Sequence, residues 1–149
     1  MTIDDLIARA TLEEVVLRYC TAVDKLADVD DLVSLFTDDA VLDLTGLLLP
    51  RYTGHAAIRA FFTQVFADMS HHMHILSNLR VDSRTDESAR VLAYVTGMGR
   101  SRAGIDIQVY VYYDLTLRKV AGDWKIASFY EAPKLPMPES VGAVHNKSA

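Results

Sequence analysis

A single cysteine, Cys20, stands in a chain of 149 residues. That excludes a disulfide framework within the chain and suits a reducing compartment, so the cytoplasm is the expected home. Positive charge is also scarce: 15 Lys and Arg against 20 Asp and Glu leave a formal charge of −5. The basic residues are scattered rather than gathered into a stripe, which argues against a nucleic-acid surface. No apolar run approaches the length of a membrane span, and the opening "MTIDDLIARA" carries two acids where a signal peptide has a basic start and an apolar stretch. Neither nucleic acid nor membrane is therefore expected as a partner. Prolines number four, and three of them, Pro133, Pro136 and Pro138, crowd near the C-terminus. Half of the residues are hydrophobic, enough for one compact domain with a real core, in a chain too short for two.

Apolar residues at Leu6, Ile7, Ala10, Val15, Val16 and Tyr19 recur near helical spacing, and Asp4 and Asp5 favour a first turn. A long amphipathic helix is expected from Ile3 to about Val23. "DVDDLVSLF" reads as a second, short helix with Asp28 or Asp30 as its cap, before "DDAVLDL" turns strand-like. A third helix follows Gly54 in "HAAIRAFFTQVFADM", where Ile58, Phe61, Phe62, Val65 and Phe66 make one apolar face. From His72 the pattern becomes that of strands: "HMHILSNLRV", "SARVLAYVTGM", "IDIQVYVYYDLTL" and "DWKIASFYEA" form an expected antiparallel meander. The prolines then leave residues 133–149 as an irregular tail behind a domain of residues 1–132. Helices first and a meander after them imply an α+β domain in the order α-α-β-α-β-β-β-β. In it a curved mixed or antiparallel sheet packs against the three helices of the N-terminal half, and the bent sheet makes a cone whose mouth is a pocket.

"SHHMHILSN" puts three of the five histidines into four positions. On a strand, His72, His74, Leu76 and Asn78 point to one face while His71, Met73 and Ile75 point to the other, so two imidazoles are neighbours in the cavity. A metal site needs at least a third convergent ligand with its supporting hydrogen bonds, and no spacing here supplies one. Neither metal nor cofactor is expected. Histidines that only fill the core, with their ring edges hydrogen-bonded, are the alternative to chemistry. In "QVYVYYDLTL", Gln108, Tyr110, Tyr112 and Asp114 share one face, opposite Val109, Val111 and Tyr113. That face is either a pocket wall or an outer surface that joins a dimer. Gly97 and Gly99 lie outside any strand-to-helix turn and mark a bend rather than a phosphate site. Cys20 has no identified activating base, which leaves covalent catalysis unsupported.

The order of elements, with "LFTDDAVLDL" after the helical pair, "YTGHAAIRAFF" opening the third helix and "AGDWKIASF" as the last strand, resembles the SnoaL-like group of the nuclear-transport-factor-like cone superfamily. The resemblance runs from about Leu6 to Phe129 and takes in polyketide cyclases, scytalone dehydratase and bile-acid dehydratase; the fold hosts enzymes and binding modules alike. His74-x-x-x-Asn78 matches a pattern in which the histidine of related hydro-lyases is the general acid/base, with His72 as the alternate register. Tyr19 and Asp24 match the Y-x-x-x-x-D of bile-acid dehydratase, and Asp24 also the aspartate of scytalone dehydratase. The resemblance thus implies catalytic roles for His74, Asp24 and Tyr19. It implies substrate contacts for His72 and Asn78, and for Tyr112 and Asp114 through a Y-x-D pattern. The chain departs from the hydro-lyases at Val23 and Leu44, where scytalone dehydratase has its water-holding tyrosines. It departs again at Phe129, where much of the group has an arginine able to clamp an anion.

A carboxylate in an apolar cavity is costly unless paired, and an imidazolium is its obvious partner; the pair raises the histidine's proton affinity and fixes its tautomer. The expected function is that of a cofactor-independent acid/base enzyme, a dehydratase, isomerase or cyclase, acting on a hydrophobic, polycyclic or steroid- or polyketide-like molecule. The alternative is a non-catalytic small-molecule-binding module of the same fold. A homodimer built on the exposed face of the meander is expected, because the helices cover only one side.

Overall fold

The structure is a computed structural model and describes residues 1–146. Helix α1 (Ile3–Lys25) opens on a reciprocal cap: the Asp5 N–H donates to Thr2 Oγ1 at 3.1 Å and the Thr2 N–H to Asp5 Oδ2 at 2.8 Å, satisfying donors that the first turn leaves unpaired. Its buried face runs from Leu12 through Val15, Val16, Tyr19 and Val23. Leu6 and Ile7, expected on that face, are exposed. The first turns are instead held by polar contacts, Arg84 Nη2 to Asp5 Oδ1 at 2.7 Å and Arg9 Nη2 to the Leu79 carbonyl at 3.2 Å. Helix α2 (Val29–Ser34) is capped by Asp28, whose Oδ1 accepts from the Asp31 N–H at 3.1 Å.

Strand β1 (Phe36–Asp43), a 3₁₀ turn (Thr45–Leu47) and β2 (Arg51–Thr53) lead into α3 (Gly54–Asp68). Four long strands follow, β3 (Met69–Arg84), β4 (Ser88–Ser101), β5 (Asp106–Val120) and β6 (Asp123–Pro133), and then a short helix α4 (Ser140–His145). All six strands form one sheet in the order β2-β1-β6-β5-β4-β3. The meander from β3 to β6 is antiparallel as read from the sequence. The sheet becomes mixed at its other edge, where β1 runs parallel to β6 and β2 antiparallel to β1. The fold is α+β, with an open sheet curved over its helices. Register shifts in the β1–β6, β3–β4 and β5–β6 pairs supply extra residues that bend the strands. The concave side buries Tyr113, Leu115, Leu117, Ile126 and Phe129 in one cluster with Val16 of α1 and Ile58 of α3.

Three elements were not anticipated. β2 and the 3₁₀ turn span three residues each, too few for a period to show. α4 replaces part of the expected irregular tail: it buries Val141 and Val144, while Leu135 ahead of it stays exposed. The end of that tail, residues 147–149, lies outside the described residues. β3 also begins at Met69, ahead of the expected start at His72. Among the described residues no helix is long and apolar enough to cross a membrane.

Candidate active site

The alternation of β3 sends His72 and His74 to the concave side and leaves His71 exposed, its Nδ1 2.8 Å from Ser70 Oγ. Asp24, in the last turn of α1, reaches His74 twice. Its Oδ1 lies 2.6 Å from His74 Nδ1, and its Oδ2 accepts the His74 backbone N–H at 3.0 Å. Two contacts from one carboxylate fix both strand and ring. They hold the imidazole proton on Nδ1 and leave Nε2 as the proton acceptor. Both side chains are largely shielded, 17% and 26% exposed, so their attraction is screened less than on an open surface. The His72 ring stands edge-on to that of His74, with centroids 5.4 Å apart, and its Nδ1 lies 3.4 Å from the Val23 carbonyl. Burial, and then the neighbouring His74, push its pKa down to about 4, so His72 is neutral at physiological pH.

Gly97 and Gly99 of β4 pair with His74 and His72 across the strands. A Cβ on Gly97 would lie 3.0 Å from Val109 Cγ2 and 3.5 Å from the His74 ring. The two glycines read as a bend thus make room for the two rings. Their spacing in "GMG" mirrors that in "HMH", a signal visible in the sequence once the strands are paired.

The histidines open into a cavity of about 100 Å³. Leu44, Leu47 and Leu49 close it on one side, Phe61, Phe62 and Val65 of α3 on another, and Val141 and His145 of α4 also line it. Among the described residues no lysine or arginine lines it. Tyr19 is there too, its ring packed among Phe36, Phe62, Tyr113 and Phe129 with centroids 4.8 to 6.3 Å away. Sequence reasoning missed two further cavity residues, Tyr113 and Glu131, which are direct cross-strand partners on β5 and β6. Among the described residues no fully enclosed side-chain oxygen lacks a hydrogen-bond partner, and Tyr19, Tyr113 and Glu131 have no such partner there. Their polar oxygens are therefore open to the cavity. Burial raises both tyrosines well above the usual phenol range, with the charge of Glu131 adding to it. Burial also lifts Glu131 from 4.5 to about 7, against a smaller opposing effect of His74.

Asn78, Tyr112 and Asp114 do not join this group. Asn78 sits at φ 52° in an irregularity between Ser77 and Arg80, where β3 carries an extra residue. The bulge reverses the alternation, so Asn78 is exposed and Leu79 is buried in its place. Asp114 lies on the convex side and takes two bonds from Arg90, at 2.9 and 2.7 Å. Tyr112, on the same side, packs on Tyr130 and lies under Lys134. It is Val109 and Tyr113 that face the cavity. Cys20 is buried, and its thiol is pushed up to about 12 by burial first and the charge of Asp24 second, the reverse of an activated nucleophile. Donor atoms of Asp24, His72 and His74 come within 4.8 Å of one another. Asp24 is thus a third convergent group that no sequence spacing supplied, and both of its oxygens contact His74 and orient that ring.

A family model described as a SnoaL-like domain matches residues 4–130. A solved structure of a proposed aromatic ring hydroxylase from Novosphingobium aromaticivorans is 37% identical, with 93% of this chain and 94% of that one covered at a TM-score of 0.87. A proposed scytalone dehydratase from the same organism is 22% identical over 91% and 89% of the two chains, with a TM-score of 0.81. A type 2 hexachlorocyclohexane dehydrochlorinase, LinA, is 20% identical over 89% of each, with a TM-score of 0.77; these last two share the fold. No curated protein matches significantly. With a match across nearly the whole cone and a structural relative of this identity, the chain belongs to the SnoaL-like family.

Proposed function

We propose that the protein is a cofactor-independent acid/base enzyme that takes a carbon-bound proton from a hydrophobic small molecule, in a dehydration, isomerisation or cyclisation. The observation that carries this reading is the 2.6 Å contact of Asp24 Oδ1 with His74 Nδ1 at the edge of an apolar cavity. In it His74 Nε2 is the general base. Asp24 holds the ring and stabilises the imidazolium that forms, and the Tyr19 hydroxyl and neutral His72 contact the substrate. A cavity of about 100 Å³ is of the order of one that holds a single benzene-sized ring, roughly 150 Å³. A one- or two-ring molecule suits it better than a steroid, for which α4 and the leucines of the β1–β2 connection would have to move. The 37% identical relative is named for an aromatic ring, in keeping with that size. The enzyme works as a homodimer through the convex face of β3–β5, and its lone thiol suits the cytoplasm.

The test is a panel of cyclic ketones and β-hydroxy ketones followed by mass change and by deuterium uptake from D2O. Uptake or loss of water that disappears in His74→Ala supports the enzyme. Tight binding of panel members with no exchange or elimination supports a binding module in its place.

A further inference from the structure

Glu131 is a group the His74–Asp24 pair does not use. It is the last residue of β6 to face inward, beyond Phe129, and stands beside Tyr113. Among the described residues its carboxyl receives no hydrogen bond, and it opens to the same cavity as His74. A surface acid would be solvated, and a structural one would be paired with a base or capped by N–H groups. Glu131 has neither, in a pocket lined by no lysine or arginine among the described residues. His74 of β3 acts on it electrostatically and lowers its pKa, while the charge of Glu131 raises those of Tyr19, Cys20 and Tyr113. Tyr113, His72 and His145 line the same space.

We propose that Glu131 is the proton donor of this pocket, delivering hydrogen to an uncharged carbonyl or hydroxyl oxygen of the substrate while His74 removes the proton from carbon. The inference rests on reading His74 as the base. With a β-hydroxy ketone the C–H electron pair becomes the new C=C bond, and the C–O pair leaves on oxygen. That oxygen takes the Glu131 proton and departs as water. With a plain ketone the C–H pair forms the enol double bond and the carbonyl oxygen takes the same proton. Either way the pocket is left with an imidazolium and a carboxylate. Transfer of one proton from His74 back to Glu131, directly or through solvent, restores it with no oxidant or reductant. The assignment also sets substrate class. A carboxylate or phosphate would find no cation to bind and would meet Glu131 as a competing acid, so the ligand is uncharged at its reacting oxygen. Burial that keeps the carboxyl protonated up to about pH 7 is what a donor working near neutrality needs.

Two measurements test it, both with the full chain. The first is a ¹³C NMR titration of the Glu131 carboxyl, assigned by its loss in Glu131→Gln. A midpoint near 7 is expected, and one near the ordinary 4.5 would overturn the proposal. The second is deuterium uptake by β-tetralone, with binding followed separately. Glu131→Gln and Glu131→Ala should bind the ketone yet exchange it about 10²-fold or more slowly, and Glu131→Asp, which keeps the acid, should recover part of the rate. The wild-type rate should fall above about pH 7, a fall that Glu131→Gln lacks. Loss of exchange in His74→Ala with all Glu131 variants within about twofold of wild type would sink the donor and spare the base. No exchange by the wild-type protein, or full exchange by His74→Ala, would sink the base and the donor with it.

Discussion

Gly99 of β4 lies directly opposite His72 of β3, and a Cβ on it would stand 2.8 Å from His72 Cδ2, 2.8 Å from the His71 carbonyl oxygen and 2.7 Å from Met69 Cε. The methionine tip is the end of a flexible side chain, whereas the backbone oxygen is fixed in the strand. Gly99→Ala should therefore push β3 away and cost about 1–3 kcal/mol of stability, the usual price of overpacking, read from urea denaturation. A variant as stable as the wild type would mean that the close approach is not what keeps this position small.

Stability should depend on pH through two partly buried groups of opposite sign. Glu131 has its pKa raised from 4.5 to about 7. The folded state holds its proton more tightly than the unfolded, so its contribution is full below 4.5 and is lost as pH rises toward 7. His72 is lowered from 6.5 to about 4. The unfolded state binds the proton first, so its contribution is full above 6.5 and is lost as pH falls toward 4. Glu131→Gln should gain on the wild type as pH rises through the first window, and His72→Gln should gain as pH falls through the second. Denaturation midpoints that shift in parallel for all three proteins would contradict both assignments.

The convex face of the meander exposes Met73, Ile75, Tyr94 and Tyr110, each 41% to 51% accessible, on adjacent strands. Apolar groups gathered this way mark an association surface. Sedimentation should give a dimer at micromolar concentration, and Ile75→Glu should release monomer with its helical content unchanged. A wild-type monomer under those conditions would contradict the homodimer.

Helices α1 and α3 and the meander were legible because each keeps one period over ten or more residues, as in "HAAIRAFFTQVFADM" and "IDIQVYVYYDLTL", and the six-residue α2 through its aspartate cap. The pair His74 and Asp24 was legible through its likeness to related enzymes. Their contact joins residues fifty apart in sequence, which no local pattern encodes. Asn78 was misplaced because alternation holds only until a bulge, and one extra residue inverts every side chain after it. Tyr112 and Asp114 were assigned to the pocket from a motif, although their alternation left two faces open; the pairing of Asp114 with Arg90 and the packing of Tyr112 on Tyr130 show which one they occupy. Glu131 lies near the end of a strand of ordinary composition, and only the pairing of β6 with β5 sets it beside Tyr113 inside the cone.

The most direct measurement is the rate of deuterium uptake from D2O into β-tetralone by wild type, His74→Ala, Asp24→Asn and the double variant. If His74 is the base and Asp24 its positioning partner, His74→Ala should keep the fold and bind the ketone while exchanging it about 10²- to 10⁴-fold more slowly. Asp24→Asn should also be slow, and the double variant little worse than the worse single one, because the two act as a unit. Near-wild-type exchange by all three variants would contradict the account, leaving the histidines of "SHHMHILSN" as core and surface groups of a binding fold.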